Sequence, residues 1–155
     1  MPSGALPRRV VLDASVVAAW SFHEDDTEEA RKVQAALESG QLTGLAPSLM
    51  WAELQQICRR KWNVFRVARE AVEASYEASL LAGLTEVSGG LTRFRAEAWK
   101  WVKALNVGSY DAYYLALALS LELDVWTFDR SFRDAALKDP RTAGRVSVPG
   151  EDVFP

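Results

Sequence analysis

Apolar residues in this chain alternate between two patterns: short runs the length of a strand, and longer stripes repeating every three or four positions. Val10-Val11-Leu12 is the first run, stopped by Asp13. Ser15 to Phe22 predicts a helix of one or two turns around Val16-Val17-Ala18-Ala19-Trp20. A second helix starts near Glu24-Asp25-Asp26-Thr27, with Glu28 and Glu29 in the turn where the helix dipole favours negative charge. Ala30, Val33, Ala36 and Leu37 give it one apolar stripe, and Gly40 is its stop. Leu42 to Ala46 reads as a weak strand closed by Pro47, with Ser48 placed to cap a helix from Leu49 to about Trp62.

Asn63 interrupts that helix, and Val64 to Leu81 predicts another. Leu84 to Val87 is a third strand, ended by Gly89-Gly90. Leu91 to Leu105 is amphipathic: Leu91, Phe94, Ala98, Trp101 and Leu105 share a face. Ser109 to Leu121 differs in being apolar on all sides, which predicts a helix buried in the middle of the fold. Val125 to Phe128 is a strand ending at Asp129, followed by a short helix around Phe132 to Leu137. Arg145 to Val148 is the last strand. Strands alternating with helices predict an α/β sandwich around a parallel sheet.

Composition narrows this only slightly. At 155 residues, 49% apolar and 25% charged, the chain has the length and make-up of one soluble domain. No run reaches the ~20 apolar residues of a membrane span, and the N-terminus lacks the pattern of a secretory leader. Cys58 is the single cysteine, on an apolar helix face, which excludes a disulfide framework or cysteine metal site within the chain. A cytoplasmic location is the expectation. Net charge is −3, from 18 basic and 21 acidic residues; setting aside four acids selected below leaves 18 against 17, close to neutral.

Those acids carry the candidate chemistry. In open parallel sheets, ligands bind at the carboxyl ends of strands. Asp13 and Asp129 both close predicted strands, and Asp111 lies in the first turn of the buried helix. Glu53 has Leu49 and Ile57 four residues to either side, so it shares an apolar helix face. Any one of these has a structural explanation: Asp13 and Asp129 as N-caps, Asp111 as a dipole-favoured acid, Glu53 as a side chain reaching solvent. Gathered together they would repel one another and take up protons unless a cation joined them. Oxygen ligands without His or Cys suit Mg²⁺ or Mn²⁺, and the corresponding chemistry is phosphodiester hydrolysis. Ser15 and Thr127, each two residues from a site acid, are placed to position water or a phosphate oxygen.

Val11-Leu12-Asp13-Ala14-Ser15-Val16, Glu53 after Ala46-Pro47-Ser48, the stretch Ser109 to Ala118 and Thr127 to Phe132 resemble the PIN domain, most of all the VapC toxins of VapBC toxin–antitoxin pairs. The resemblance covers nearly the whole chain; Tyr110-Asp111-Ala112-Tyr113-Tyr114-Leu115-Ala116-Leu117-Ala118 is its most specific part. It implies a three-layer α/β/α sandwich with a central parallel five-stranded sheet. It also implies one PIN domain over 1–155, with 1–8 and 149–155 as peripheral tails. The implied activity is that of an Mg²⁺-dependent endoribonuclease toxin, with Asp13, Glu53, Asp111 and Asp129 as catalytic metal ligands. The implied partners are RNA, a VapB-type antitoxin in a hetero-oligomer, and a second copy of the chain.

Three alternatives stand beside this. One is a PIN nuclease of RNA processing that has no antitoxin. A second is a PIN-like binding module without catalysis, which four retained acids disfavour. The third is a haloacid-dehalogenase-like phosphatase, which needs a second Asp where Ser15 stands. Arg59, Arg60, Lys61, Arg66 and Arg69 form a basic cluster that is either a solvated face or an RNA contact. Trp20, Trp51 and Trp62 are candidates to line a groove for a partner helix. His23, beside an acidic run, is expected in a loop.

Overall fold

The computed structural model describes residues 6–22, 24–80, 83–87 and 90–154; His23 lies outside them. Five strands form one sheet: β1 (Arg8–Leu12), β2 (Leu42–Pro47), β3 (Thr85–Val87), β4 (Val125–Trp126) and β5 (Val146–Ser147). All the pairings are parallel, in the order β3-β2-β1-β4-β5. Seven helices are described: α1 (Ala14–Ser21), α2 (Thr27–Glu38), α3 (Leu49–Asn63), α4 (Arg69–Leu80), α5 (Gly90–Leu105), α6 (Ser109–Ser120) and α7 (Arg130–Leu137). The result is the expected α/β/α sandwich around a parallel five-stranded sheet.

The strand order positions the site. From β1 the chain builds β2 and then β3 to one side, and later crosses back to lay β4 and β5 on the other. The gap between the carboxyl ends of β1 and β4 is therefore the point where the winding reverses, and helices leave it in opposite directions. Strand β1 is central, and Val10, Val11 and Leu12 are fully buried. Strand β2, weak by sequence, is also interior and buried along most of its length. Gly44 explains both facts. A Cβ there would lie 2.8 Å from Leu84 Cδ2 and 2.9 Å from Leu12 Cδ1, so the strand has a gap in its apolar pattern because neighbouring leucines fill that space.

Helix α6 is buried along Ala112 and Tyr114 to Ala118, as its all-round apolarity predicts. It packs against α5 and against β1, β2 and β4.

The expected helix from Val64 instead begins at Arg69. Arg66 adopts a left-handed backbone (φ 58°), and Val67 N–H bonds back to the Lys61 carbonyl at 3.0 Å. Residues 64–68 thus form a tight turn that finishes α3. Ser48 precedes α3 without a side-chain cap, being itself already in helical backbone geometry. Strand β1 takes in Arg8, and the segment from 149 packs back on the domain. Pro149 is buried, and Arg133 grips Asp152 at 2.9 and 2.8 Å. The Trp126 and Phe154 rings lie 5.5 Å apart. No described helix is long and apolar enough to cross a membrane.

Candidate active site

Asp13 occupies the N-cap position of α1, yet its side chain makes no capping bond. The carboxylate turns toward β4 instead. Its Oδ2 accepts from Ser15 Oγ and from Thr127 Oγ1, each at 2.7 Å. Those hydroxyls are fixed in turn: Phe128 N–H donates to Ser15 Oγ at 3.1 Å, and Asp129 N–H donates to Thr127 Oγ1 at 2.9 Å. Asp13 N–H also bonds the Trp126 carbonyl at 3.0 Å. The ends of β1 and β4 are thus stitched together by one small polar network. Ser15 and Thr127, expected to position water or phosphate, orient the carboxylate itself. The other oxygen, Asp13 Oδ1, is buried and has no partner. An acid only 3% exposed with an unpaired oxygen is expensive, and such an atom marks a place for a ligand.

The remaining acids face this point. Burial and the Asp13 charge, with smaller contributions from Asp111 and Asp129, push Glu53 up to about 8. Burial, then Asp13 and Asp129, push Asp111 up to about 7. Asp13 is itself raised, first by burial and in part by Asp129. The charges of Asp13 and Asp129 thus reach both Glu53 and Asp111, on elements separated widely in sequence. Arg130, the cation adjacent to Asp129, is committed elsewhere: its guanidinium pairs with Asp26 at 2.9 Å and Glu151 at 2.6 Å.

Asp129 takes the capping role that was its structural alternative. Its Oδ1 caps α7 by accepting from Phe132 N–H at 3.1 Å, and Ser131 Oγ donates to it at 2.6 Å. Glu53 is half-buried on α3 and its Oε2 accepts from Tyr114 Oη at 2.9 Å. Tyr114 escaped the sequence reading because it looked like one more apolar residue of α6. The available signal was its place one helical turn beyond Asp111, on the same side of the helix. It is fully buried, and burial holds its phenol well above the ordinary value, so it remains a donor.

Among the described residues, no three His, Cys, Asp or Glu side chains lie close enough together to hold one ion as they stand. The donor set nevertheless suits a hard divalent cation: all-oxygen, mutually repelling, with one buried carboxylate oxygen unpaired. Such an ion would be held first by Asp13, with Asp111, Glu53 and Asp129 closing on it.

The sequence model of the PIN domain matches residues 10–138. The chain belongs to the PIN domain family. PIN domains are generally nucleases, and all four acids fall inside the matched stretch. Among solved structures, PAE2754 from Pyrobaculum aerophilum is similar at TM-score 0.60 and 20% identity, covering 83% of this chain and 86% of that one. VapC20 of Mycobacterium tuberculosis, a toxin that cleaves the sarcin–ricin loop, is similar at TM-score 0.59 and 17% identity, covering 81% and 94%. No curated protein sequence matches. At these identities the two structures share the PIN fold with this chain.

The other sequence candidates separate in space. Trp20 is core, Trp51 Nε1 donates to Glu86 at 3.0 Å, and Trp62 lies under the Arg69 guanidinium at 5.3 Å, so the three do not line one groove. The basic cluster divides too: Lys61 pairs with Glu24, Arg69 stacks on Trp62, and Arg59 and Arg60 are exposed on α3. Cys58 is buried, and burial pushes its thiol up, away from the reactive thiolate.

Proposed function

We propose that this PIN domain is an Mg²⁺-dependent endoribonuclease of the VapC type, the toxin of a toxin–antitoxin pair, with Asp13, Glu53, Asp111 and Asp129 as its catalytic metal ligands. The observation that carries the reading is the unpaired Asp13 Oδ1, buried where the winding of the sheet reverses, in an acid within electrostatic reach of Glu53, Asp111 and Asp129. The family assignment and the toxin VapC20 among similar structures support it. Mn²⁺ fits the same oxygen ligands.

When bound, the divalent ion supplies the positive charge that offsets the acids and the charge developing on the phosphate. The chain's own residues set the geometry. Ser15 and Thr127 hold Asp13 Oδ2, which leaves Oδ1 unpaired and open to a ligand. Tyr114 holds Glu53 Oε2 and leaves Oε1 for the site. Asp129 shares its carboxylate with the start of α7, so the helix fixes that edge. Water attacks phosphorus, a phosphorus–oxygen bond to the former water forms as the ester bond to the leaving oxygen breaks, and the proton that the water gives up ends on the leaving oxygen. In the cell, a VapB-type antitoxin would hold the protein inactive, in a hetero-oligomer built on a toxin homodimer.

The direct test is cleavage of total RNA by the purified protein with Mg²⁺ and with EDTA, alongside Asp13→Asn. Cleavage that requires Mg²⁺ and is lost in the variant is expected. A folded Asp13→Asn protein cutting at the wild-type rate would overturn the assignment. Growth arrest on expression, relieved by the product of an adjacent small reading frame, tests the toxin role separately.

A further inference from the structure

Beside the acids lies a cavity of about 240 Å³, lined by Ser15, Glu24, Ile57, Arg60, Lys61 and Phe65 among others. Its position is informative: Ser15 forms part of its wall while its hydroxyl bonds Asp13, so the cavity borders the carboxylate site directly. Its chemistry is the reverse of that site. Lys61 and Arg60 lie one after the other at the end of α3, against the single acid Glu24, which Lys61 pairs. Among the described residues, no ion pair engages Arg60.

Phe65 is the unusual member. It is 59% exposed, large and apolar, on the turn that ends α3. That turn is not loose: Val64 and Phe65 N–H groups both bond the Arg60 carbonyl, at 2.9 and 3.3 Å, and Val67 N–H bonds that of Lys61. Lys61 Nζ stands 5.3 Å from the Phe65 ring and 5.1 Å from the Phe22 ring. An exposed aromatic ring is thus fixed in place beside Lys61, whose charge Glu24 answers, with the unpaired Arg60 on the same cavity wall, next to the carboxylate site.

We propose that this cavity is a nucleotide subsite, in which Phe65 stacks on a base adjacent to the scissile phosphate and Arg60 contacts a backbone phosphate. The proposal rests on the nuclease reading for its role in catalysis, though nucleotide binding itself does not. Aromatic stacking tolerates any base and backbone contacts need a cation, and this wall supplies both. The volume is below the ~300–1,000 Å³ of pockets that enclose a larger ligand, so a single nucleotide fills it. The subsite also answers an electrostatic difficulty. Four acids repel a polyanion, and a basic aromatic wall at their edge gives the strand a place to be held.

The test uses NMR titration of the full-length protein in EDTA with 5′-AMP, GMP, CMP and UMP, for wild type, Phe65→Leu, Phe65→Trp and Arg60→Gln. All four nucleotides are expected to move amides around Ser15, Ile57 and residues 60–65. Phe65→Leu and Arg60→Gln should each weaken binding about 10-fold, and Phe65→Trp should restore it. In a cleavage assay the two weakened variants lower kcat/KM through KM. Nucleotides that leave these amides unmoved, or that bind both weakened variants as tightly as wild type, overturn the subsite. Cleavage of RNA with unchanged KM in both also overturns it while leaving the nuclease intact. Nucleotide binding here in a protein that never cleaves RNA would sustain the subsite and refute the nuclease.

Discussion

Asp111→Asn should make the metal-free protein more stable while removing its activity. Asp111 is half-buried and faces the charges of Asp13 and Asp129. Its proton is therefore held up to about pH 7 in the folded state, against 3.8 for the free side chain. The folded protein binds more protons than the unfolded chain between those values, so its stability falls as pH rises through that window. The gap corresponds to about 4 kcal/mol, and solvent reaching the side chain reduces this to roughly 2 kcal/mol. Asparagine carries no charge to bury. At pH 8 in EDTA the variant should therefore be about 2 kcal/mol more stable than wild type by urea denaturation. At pH 3 the two should be nearly equal, because below 3.8 the wild-type acid is largely protonated folded or unfolded. Mg²⁺ at 100 times its dissociation constant should add about 2.7 kcal/mol to wild type and less to the variant, reversing their order. A variant less stable than wild type at pH 8 without metal would refute the idea that mutually repelling, buried acids define this site.

Two further outcomes follow from the same geometry. Thr127→Val deletes the 2.7 Å donor to Asp13 and the acceptor of Asp129 N–H in a fully buried position; unfolding experiments should show a loss of about 1–3 kcal/mol, and RNA cleavage should fall, with Thr127→Ser recovering both. Gly44→Ala forces a Cβ against Leu84 and Leu12 and should cost about 1–3 kcal/mol in denaturant midpoint measurements without changing which RNA bonds are cut.

Most of the elements, and the four acids as candidates, were readable along the chain. Buried strands write themselves as short apolar runs, and the fully buried α6 as an apolar stretch with no polar side, because burial depends on local composition. Asp13 and Asp129 stood out as candidates because a carboxylate at the end of such a run conflicts with its surroundings, Asp111 because it opens an apolar helix, and Glu53 because it shares an apolar helix face. Only the tertiary structure decided how they are held. That Ser15 and Thr127 serve Asp13, that Tyr114 holds Glu53, and that Asp129 also caps α7 all depend on contacts between distant elements. Gly44 and the turn at Arg66 were opaque for a related reason. The first answers to leucines on two other segments, and the second bends where nothing in its apolar spacing marks a break. Asp13 shows the division most plainly. Its place at the end of β1 follows from sequence, but the choice between helix cap and open carboxylate was made by β4. The hydroxyl and backbone N–H groups that β4 supplies orient one oxygen and leave the other unpaired.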